Sequence, residues 1–225
     1  MKIALIGYGK MGHIIERVAL ERGHEVVCKI DRDNLDDFES PQFRSADVAI
    51  EFTTPLTAVE NIRKAWQAGV PVVCGTTGWQ QHLDELKQEL KSNKKALFWS
   101  SNFSIGVNLF FALNKCLANL MRPYGEYKPS MTEIHHIHKL DAPSGTAVTL
   151  ANDICFPTDR IESIREGEVP GTHIVRYESN VDSIEIRHDA KSREGFAFGA
   201  VLAAEFLQEK QGFYSMPDLL NINQH

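Results

Sequence analysis

The stretch that decides the fold is Lys2-Ile3-Ala4-Leu5-Ile6-Gly7-Tyr8-Gly9-Lys10-Met11-Gly12. Its apolar first half predicts a short buried strand, and glycines in the spacing GxGxxG follow at once. Residues 13–22 carry apolar side chains at helical spacing, which predicts a helix that Gly23 ends. A strand, a glycine-rich turn and a helix in this order are typical of the dinucleotide-binding fingerprint.

Each glycine of the fingerprint has a physical role. Gly7 permits the tight turn, Gly9 lets the backbone approach a pyrophosphate, and Gly12 lets the helix pack closely on the strand. A second predicted strand, residues 25–30, ends at Asp31, which lies 19 positions past the last glycine. A carboxylate in that position accepts hydrogen bonds from the adenosine ribose.

Arg32 bears on the choice of cofactor. A carboxylate at Asp31 favours an unphosphorylated ribose, whereas a guanidinium beside it pairs with a 2′-phosphate or stacks on adenine. The pair predicts usable binding of both NADH and NADPH. The alternative is that Arg32 is an ordinary loop arginine.

Strands and helices continue to alternate as far as Phe103. Strands are predicted over residues 47–52, 71–74 and 96–99 and helices over 57–68 and 80–91, whereas residues 33–45 offer little helix. Each strand ends in small, hydroxyl or glycine residues, and in a parallel sheet such ends meet at one ligand-binding edge. We therefore expect a cofactor cleft lined by Thr53, Thr54, Gly75, Thr76, Thr77, Ser101 and Asn102.

The pattern changes after Phe103. A long apolar helix is predicted over residues 107–121, followed by strands over 130–138, 172–178 and 182–188 and helices over 146–154 and 198–208. The predicted fold class is α/β, with a Rossmann-like domain and a second α+β domain whose sheet is mixed or antiparallel.

The second informative stretch is His135-His136-Ile137-His138-Lys139, which is followed by Pro143-Ser144-Gly145-Thr146. An imidazole titrates near neutral pH and can serve as a general acid. Lysine adds a fixed positive charge, and Ser144 or Thr146 can cap a helix whose N–H groups accept an anion. The segment predicts a site that holds an anion and delivers a proton.

Two other interpretations of this stretch stay open. The histidines could be solvated side chains of a surface strand or loop. His136 and His138 would share one face of a strand and could bind a metal, but the ammonium of Lys139 would repel a cation and no Cys or acidic residue follows at zinc-like spacing. We expect no metal.

Composition agrees with a soluble cytoplasmic enzyme. The chain has 225 residues, 43% of them hydrophobic and 24% charged, with a net charge of −6. That charge predicts no nucleic-acid partner. Four scattered cysteines indicate reduced thiols, and neither a signal peptide nor a membrane-spanning run is expected.

Several motifs together resemble those of the dihydrodipicolinate reductase family, the 4-hydroxy-tetrahydrodipicolinate reductases of bacterial diaminopimelate and lysine biosynthesis. The resemblance spans nearly the whole chain, and the histidine–lysine segment is its most specific part. The motifs occupy residues 7–12, 75–78 (Gly-Thr-Thr-Gly), 101–108 (Ser-Asn-Phe-Ser-Ile-Gly-Val-Asn), 133–146, 188–193 (His-Asp-Ala-Lys-Ser-Arg) and 196–201 (Phe-Ala-Phe-Gly-Ala-Val).

The resemblance implies reduction of a small cyclic dicarboxylate by NADH or NADPH in a homotetramer. Residues 1–104 and 193–225 would bind the dinucleotide, and residues 105–192 would bind substrate and form the tetramer. His135 would donate the proton, assisted by Lys139, and the substrate would be held by His136, Lys139, Ser144, Gly145 and Thr146. The cofactor would be held by Gly7, Tyr8, Gly9, Lys10, Met11, Gly12, Asp31, Arg32, Phe52, Gly75, Thr76, Thr77, Ser100, Ser101, Asn102 and Phe103.

The chain departs from the family pattern in three respects. It is shorter after Asp31 and between Phe156 and Thr172, its glycine loop is one residue shorter, and Glu51 stands where Asp is usual. Two other functions fit a dinucleotide-binding domain. A redox-sensing regulator would need a basic or helix-turn-helix DNA-binding element, which is not apparent, and a sugar or amino-acid dehydrogenase would not need the histidine–lysine segment.

Overall fold

A computed structural model describes residues 1–92 and 95–222. The chain divides into two units, one of Met1–Ile105 with Glu194–His225 and one of Gly106–Arg193. Among the described residues, no helix is long and apolar enough to cross a membrane.

The first unit is built on a six-stranded sheet in which every neighbouring pair is parallel. Numbered along the whole chain, its strands are β1 (Lys2–Ile6), β2 (Glu25–Ile30), β3 (Val48–Glu51), β4 (Val72–Cys74), β5 (Ala96–Trp99) and β10 (Gly212–Tyr214). Their order is β10-β5-β4-β3-β1-β2. All six carboxyl ends therefore lie at the same edge.

Helices cover both faces of this sheet, as buried parallel strands require. They are α1 (Lys10–Glu21), α2 (Pro41–Arg44), α3 (Ala58–Gln67), α4 (Leu83–Ser92), α7 (Glu194–Leu207) and α8 (Met216–Leu219). One core packs α1 and α7 against side chains such as Ile3 and Phe98. The other packs α3 and α4 against side chains such as Ile6 and Leu97.

The second unit contains a four-stranded mixed sheet in the order β7-β6-β8-β9. β6 and β7 are parallel, whereas β6 with β8 and β8 with β9 are antiparallel. Its core gathers Phe110, Met131, Leu150 and Val175 from helices and sheet. The elements are α5 (Ile105–Met121), β6 (Lys128–His135), α6 (Gly145–Asp153), β7 (Glu162–Arg165), β8 (Thr172–Glu178) and β9 (Ser183–Asp189).

The predicted fold class, a Rossmann-like parallel sheet with a separate mixed sheet, is confirmed. Several boundaries differ: β6 ends at His135 and not at residue 138, α1 begins at Lys10 and not at residue 13, and α7 begins at Glu194. Residues 33–45 are not a plain loop, since they form a 3₁₀ turn at Leu35–Glu39 and α2. Residues 223–225, within the predicted range 193–225, lie outside the described residues.

Two strands and two helices were missed, and each is too short for its pattern to be recognised. β10 has three residues and β7 has the polar sequence Glu-Ser-Ile-Arg, so neither shows a usable hydrophobic alternation. Helices α2 and α8 have four residues each, which is little more than a single turn.

Candidate active site

The glycine turn connects β1 to α1 as the fingerprint predicts. Gly7 has φ of +92°, and a Cβ there would lie 2.1 Å from the Phe52 carbonyl oxygen. A Cβ on Gly12 would lie 2.5 Å from the Gly7 oxygen. Only glycine fits these two positions, because a side-chain carbon cannot approach backbone so closely.

The start of α1 is open and suits an anion. Gly9 is the N-cap, and a Cβ at this residue would meet no atom within 4 Å. The first turn of the helix contains no acidic residue, so its free N–H groups and the helix dipole favour a phosphate. The residues of this turn therefore fit the pyrophosphate of a dinucleotide. Of the other predicted residues here, Lys10 is exposed and Met11 is half-buried.

Tyr8 is held by two charged partners. Its hydroxyl donates to Glu16 and accepts from the Lys29 ammonium at 3.1 Å, and that ammonium also pairs with Glu16 at 2.5 Å. The Lys29 nitrogen lies 4.6 Å from the Tyr8 ring centroid. These contacts fix Tyr8 beside the glycine turn.

Asp31 and Arg32 are both exposed just after β2. The Asp31 carboxylate accepts from the Arg32 backbone N–H at 2.9 Å, and the Asp31 N–H donates to Asn34 Oδ1 at 2.7 Å. The Gly7 N–H donates to the Ile30 carbonyl at 2.8 Å, which places this turn directly beside the glycine loop.

The loop after β4 is secured through Thr76. Its side chain is buried and accepts from the Thr53 N–H at 2.8 Å, while its carbonyl accepts from the indoles of Trp79 at 2.7 Å and Trp99 at 3.2 Å. The hydrogen bonds of Thr76 thus fix the conformation of the loop. Thr77, the next residue, is exposed.

Phe52, which follows β3, and Phe103, which lies in the turn after β5, pack together at the same edge of the sheet. A Cβ on Gly75 would lie 2.1 Å from the Phe52 ring, whose centroid is 5.8 Å from that of Phe103. A Cβ on Gly199 would lie 1.8 Å from the Phe103 carbonyl oxygen, so α7 packs directly on this backbone. These contacts hold the ends of β3, β4 and β5 in fixed positions.

The turn after β5 is fixed by its own polar side chains. The Ser100 hydroxyl donates to the Asn102 carbonyl at 2.7 Å and accepts from the Asn102 N–H at 3.1 Å. Asn102 Oδ1 in turn accepts from the Ser104 N–H at 2.9 Å, and Ser101 is exposed between them. All cofactor residues predicted from the sequence therefore lie at or beside one edge of the sheet.

Glu51 is a buried carboxylate at this edge that sequence reasoning noted only as a departure. It accepts hydrogen bonds from the Thr53 hydroxyl and from the Cys74 thiol, the latter at 2.9 Å. Burial, with Glu51 beside it, raises the pKa of the Cys74 thiol well above its ordinary value. Cys74 therefore stays protonated and joins β4 to the end of β3.

In the second unit, Glu133 and His135 project from the same face of β6 because they are two residues apart. Glu133 is fully buried. Its two carboxylate oxygens each accept from the Ser144 backbone N–H at 3.1 Å, and Oε1 also accepts from the Arg165 guanidinium at 3.1 Å. These hydrogen bonds outweigh the effect of burial, which would raise the pKa of Glu133, so the net pKa is lowered.

His135 is 7% exposed and lies against Glu133. Its Nε2 is 3.3 Å from Glu133 Oε2 but makes no hydrogen bond to any described residue, and the Pro170 backbone hydrogen-bonds the ring. Burial lowers the pKa of His135, Glu133 opposes this, and the charges of Lys139 and Arg165 lower the pKa further.

Ser144 caps α6, as the sequence predicts. Its hydroxyl accepts from the Ala147 N–H at 3.2 Å and contacts His173 Nε2 at 3.2 Å, and the residue is 3% exposed. Gly145 is exposed and a Cβ on it would meet no atom within 4 Å, while Thr146 is half-buried. The first N–H groups of the helix, which have no intrahelical acceptor, belong to these two residues.

The loop after β6 carries the other predicted side chains. Lys139 is largely buried and pairs with both oxygens of Asp141, at 2.7 and 2.9 Å. His136 is half-buried, and its Nδ1 is buried without a hydrogen-bond partner among the described residues. His138 is exposed and lies 3.3 Å from Glu168.

Glu133, His135 and His173 offer ligand atoms within 4.8 Å of one another. The Glu133 oxygens already accept from Ser144 and Arg165, and the Arg165 cation would repel a metal ion at this distance. The arrangement is therefore better suited to holding protons. Sequence reasoning missed Glu133, Arg165 and His173; only Glu133 had a signal, its strand spacing from His135.

Family models account for almost all of the chain. The model described as dihydrodipicolinate reductase, N-terminus, matches residues 1–103, and the one described as dihydrodipicolinate reductase, C-terminus, matches residues 106–220. The chain belongs to the dihydrodipicolinate reductase family. It is therefore an NAD(P)-dependent oxidoreductase.

Similar proteins agree with this placement. The chain is 45% identical to the 4-hydroxy-tetrahydrodipicolinate reductase of Christiangramia forsetii over 98% of both chains, and 35% identical to that of Thermosipho africanus, also over 98% of both. A solved structure of dipicolinate-bound dihydrodipicolinate reductase from Paenisporosarcina sp. TG-14 shares the fold, with a TM-score of 0.78, 23% identity and coverage of 96% of this chain and 97% of that one.

Proposed function

We propose that the protein reduces 4-hydroxy-tetrahydrodipicolinate to tetrahydrodipicolinate with NADH or NADPH, with loss of the 4-hydroxyl as water, in diaminopimelate and lysine biosynthesis, and that His135 supplies the proton. The observation that carries the chemistry is the contact of Glu133 with both His135 and the Ser144 N–H. It joins a titratable imidazole to the N-terminus of α6, a site for anions. The named relatives supply the substrate.

The first unit supplies the cofactor site in this proposal. When bound, the nicotinamide dinucleotide supplies a hydride. The open N-terminus of α1 at Gly9 would hold the pyrophosphate, and the exposed Asp31 and Arg32 would contact the adenosine ribose or its phosphate. The loops at Gly75–Thr77 and Ser100–Phe103 would line the rest of the cleft. Their buried anchors, such as Thr76, would keep these loops in shape.

The second unit supplies substrate binding and the proton. The N–H groups of Gly145 and Thr146 would accept one carboxylate of the substrate, and Lys139 with His136 would hold the other. Ser144 would act by capping α6, since its side chain is buried. Reduction leaves excess negative charge on the substrate, and protonated His135 neutralises it by donating a proton and becoming the neutral imidazole.

The domain roles, assembly and location belong to the same proposal. Residues 1–104 and 193–225 would form the nucleotide-binding domain, and residues 105–192 the substrate-binding and tetramerisation domain. The partners would be a small cyclic dicarboxylate and identical subunits of a homotetramer, without nucleic acid or membrane. The protein would work in the cytoplasm.

The test replaces His135 by Ala and compares it with His138→Ala, which removes an exposed imidazole from the same segment. Removing a general acid typically costs about 10²–10⁴-fold in rate. We expect a loss of kcat in that range for His135→Ala, unchanged dinucleotide binding by fluorescence titration, and little effect of His138→Ala. Near-normal kcat in His135→Ala would mean that the proton comes from another group.

A further inference from the structure

The surroundings of His135 disfavour its protonated form, which a proton donor needs, unless a nearby negative charge stabilises it. Burial disfavours the imidazolium. The charged and titratable groups that face the ring come from each neighbouring element: Glu133 on β6, Lys139 on the following loop, Arg165 on β7 and His173 on β8. Lys139 and Arg165 are cations and oppose protonation further, while His173, which burial keeps neutral near pH 7, adds no compensating charge.

Glu133 is the group of this set that favours the imidazolium. Its Oε2 lies 3.3 Å from His135 Nε2, within ion-pair distance, and its carboxylate is fully buried, so water does not screen the contact. The hydrogen bonds from Ser144 and Arg165 keep the carboxylate ionised and fixed in place.

We propose that Glu133 is a positioning residue that keeps His135 protonated for proton transfer and links this state to the N-terminus of α6. The inference rests on the proposed role of His135 as proton donor. His135 gives its ring proton to the reduced substrate and becomes neutral, Glu133 stays ionised throughout, and water returns a proton to the ring before the next turnover. The hydride comes from the cofactor, so no further reductant is needed.

The link to α6 follows from the shared carboxylate. Glu133 accepts a hydrogen bond from the backbone N–H of Ser144, which is the N-cap of α6. The next two backbone N–H groups, those of Gly145 and Thr146, are the ones proposed to hold a substrate carboxylate. A negative substrate group at this helix end adds favourable charge near the imidazolium. Bound dicarboxylate and the ionised Glu133 should therefore both favour the protonated state of His135.

The experiment measures the pH dependence of kcat in wild type and in Glu133→Gln. Gln keeps the size of the side chain and an oxygen for the Ser144 N–H but lacks the charge. Because a general acid works in its protonated form, the rate falls on the alkaline side of its pKa. We expect this alkaline limb to move to lower pH by about one unit or more, a loss of about tenfold at pH 8 that is recovered in more acidic buffer.

Two comparisons separate this role from a merely structural one. Glu168→Gln removes an exposed carboxylate next to His138 and should leave the pH profile unchanged. In a His135→Asn background, Glu133→Gln should cause no further change in kcat, because Glu133 acts through His135. A lower kcat at every pH with an unmoved alkaline limb in Glu133→Gln would overturn the proposal.

A titration by NMR in wild-type protein decides the matter even if Glu133→Gln does not fold. With ¹⁵N-labelled histidine, assigned through His135→Asn and His173→Gln, the pKa of His135 should lie above that of His173, its buried neighbour, which faces the same carboxylate from 3.8 Å. Addition of dipicolinate should raise the pKa of His135. A His135 that titrates below His173 would overturn the inference about Glu133, whereas full activity of His135→Ala would instead overturn the proposed donor.

Discussion

The buried His173 should make the protein sensitive to acid in a pH range that the structure defines. Its ring is enclosed, with Ser144 Oγ at 3.2 Å and the His135 ring centroid at 5.1 Å. The pKa of His173 is lowered from 6.5 to about 4, mainly by burial. The charges of His135, His188 and Lys139 lower this pKa further, whereas the charge of Glu133 raises it. Replacement of His173 by Gln removes this titration and keeps a polar group near Ser144.

The sign and size follow from linkage. A histidine whose pKa is lower in the folded state stabilises the fold above its unfolded value of 6.5, and this contribution is lost as the pH falls through the folded value of about 4. At about 1.4 kcal/mol for each pKa unit, the full contribution is about 3 kcal/mol. The carboxylates that also lose stability in acid, such as Asp189 with a pKa of about 2, are present in both proteins and cancel in the comparison.

The assay is urea unfolding of wild type and His173→Gln at pH 7.5, 6, 5 and 4, followed by circular dichroism at one protein concentration. At pH 7.5 the variant should be less stable, by about 1 kcal/mol for the lost packing. As the pH falls, the free energy of unfolding of wild type should drop by about 3 kcal/mol more than that of the variant, so that the variant becomes the more stable protein near pH 4.

His138→Gln is the matched control, since its imidazole is exposed and should not alter the difference from wild type across this range. A constant difference between wild type and His173→Gln from pH 7.5 to 4 would refute the reasoning, because it would mean that His173 titrates alike in folded and unfolded chains.

Two predictions concern ligand recognition. Arg32→Ala should weaken binding of NADPH more than that of NADH in fluorescence titrations, because only NADPH carries the phosphate that an exposed guanidinium can pair with; equal losses would assign Arg32 to structure or to stacking on adenine. Lys139→Ala should raise KM for substrate and lower kcat in steady-state assays, because it removes the cation proposed to hold a substrate carboxylate in place; an unchanged KM would contradict a contact with the substrate.

The backbone framework of the proposed cofactor site was largely predictable from the sequence. Backbone geometry dictates the residue type there, so the glycines at positions 7 and 12 indicate close approaches of the backbone. In the structure, a Cβ on Gly7 would lie 2.1 Å from the Phe52 oxygen, and a Cβ on Gly12 would lie 2.5 Å from the Gly7 oxygen. The strand ends could also be placed, because the parallel order brings them to one edge. The part that could not be predicted is the support beneath them, such as the indole of Trp99 reaching the Thr76 carbonyl across 23 residues.

The substrate side was predictable only where its residues stand close together in the sequence. The density of histidine and lysine after β6 indicated a proton-bearing anion site, and Ser144 was recognised as a helix cap. Arg165 could not be found, because β7 has no hydrophobic period and its parallel pairing with β6 is a tertiary event. His173 reaches the site from β8 through an antiparallel pairing with Glu133, which no local pattern encodes.

These two sides differ in what holds the functional groups. The proposed cofactor edge would rely on backbone N–H groups and on steric fit, so single charges would affect binding there mainly at exposed positions such as Arg32. The substrate side gathers its charges around one buried carboxylate: Glu133 contacts His135, the Ser144 N–H and Arg165 at once. A buried carboxylate with several partners is costly to leave unpaired, so each partner constrains the position of the others. Changes in Glu133 should therefore affect substrate binding and proton transfer together, whereas changes at the cofactor edge should affect each cofactor contact separately.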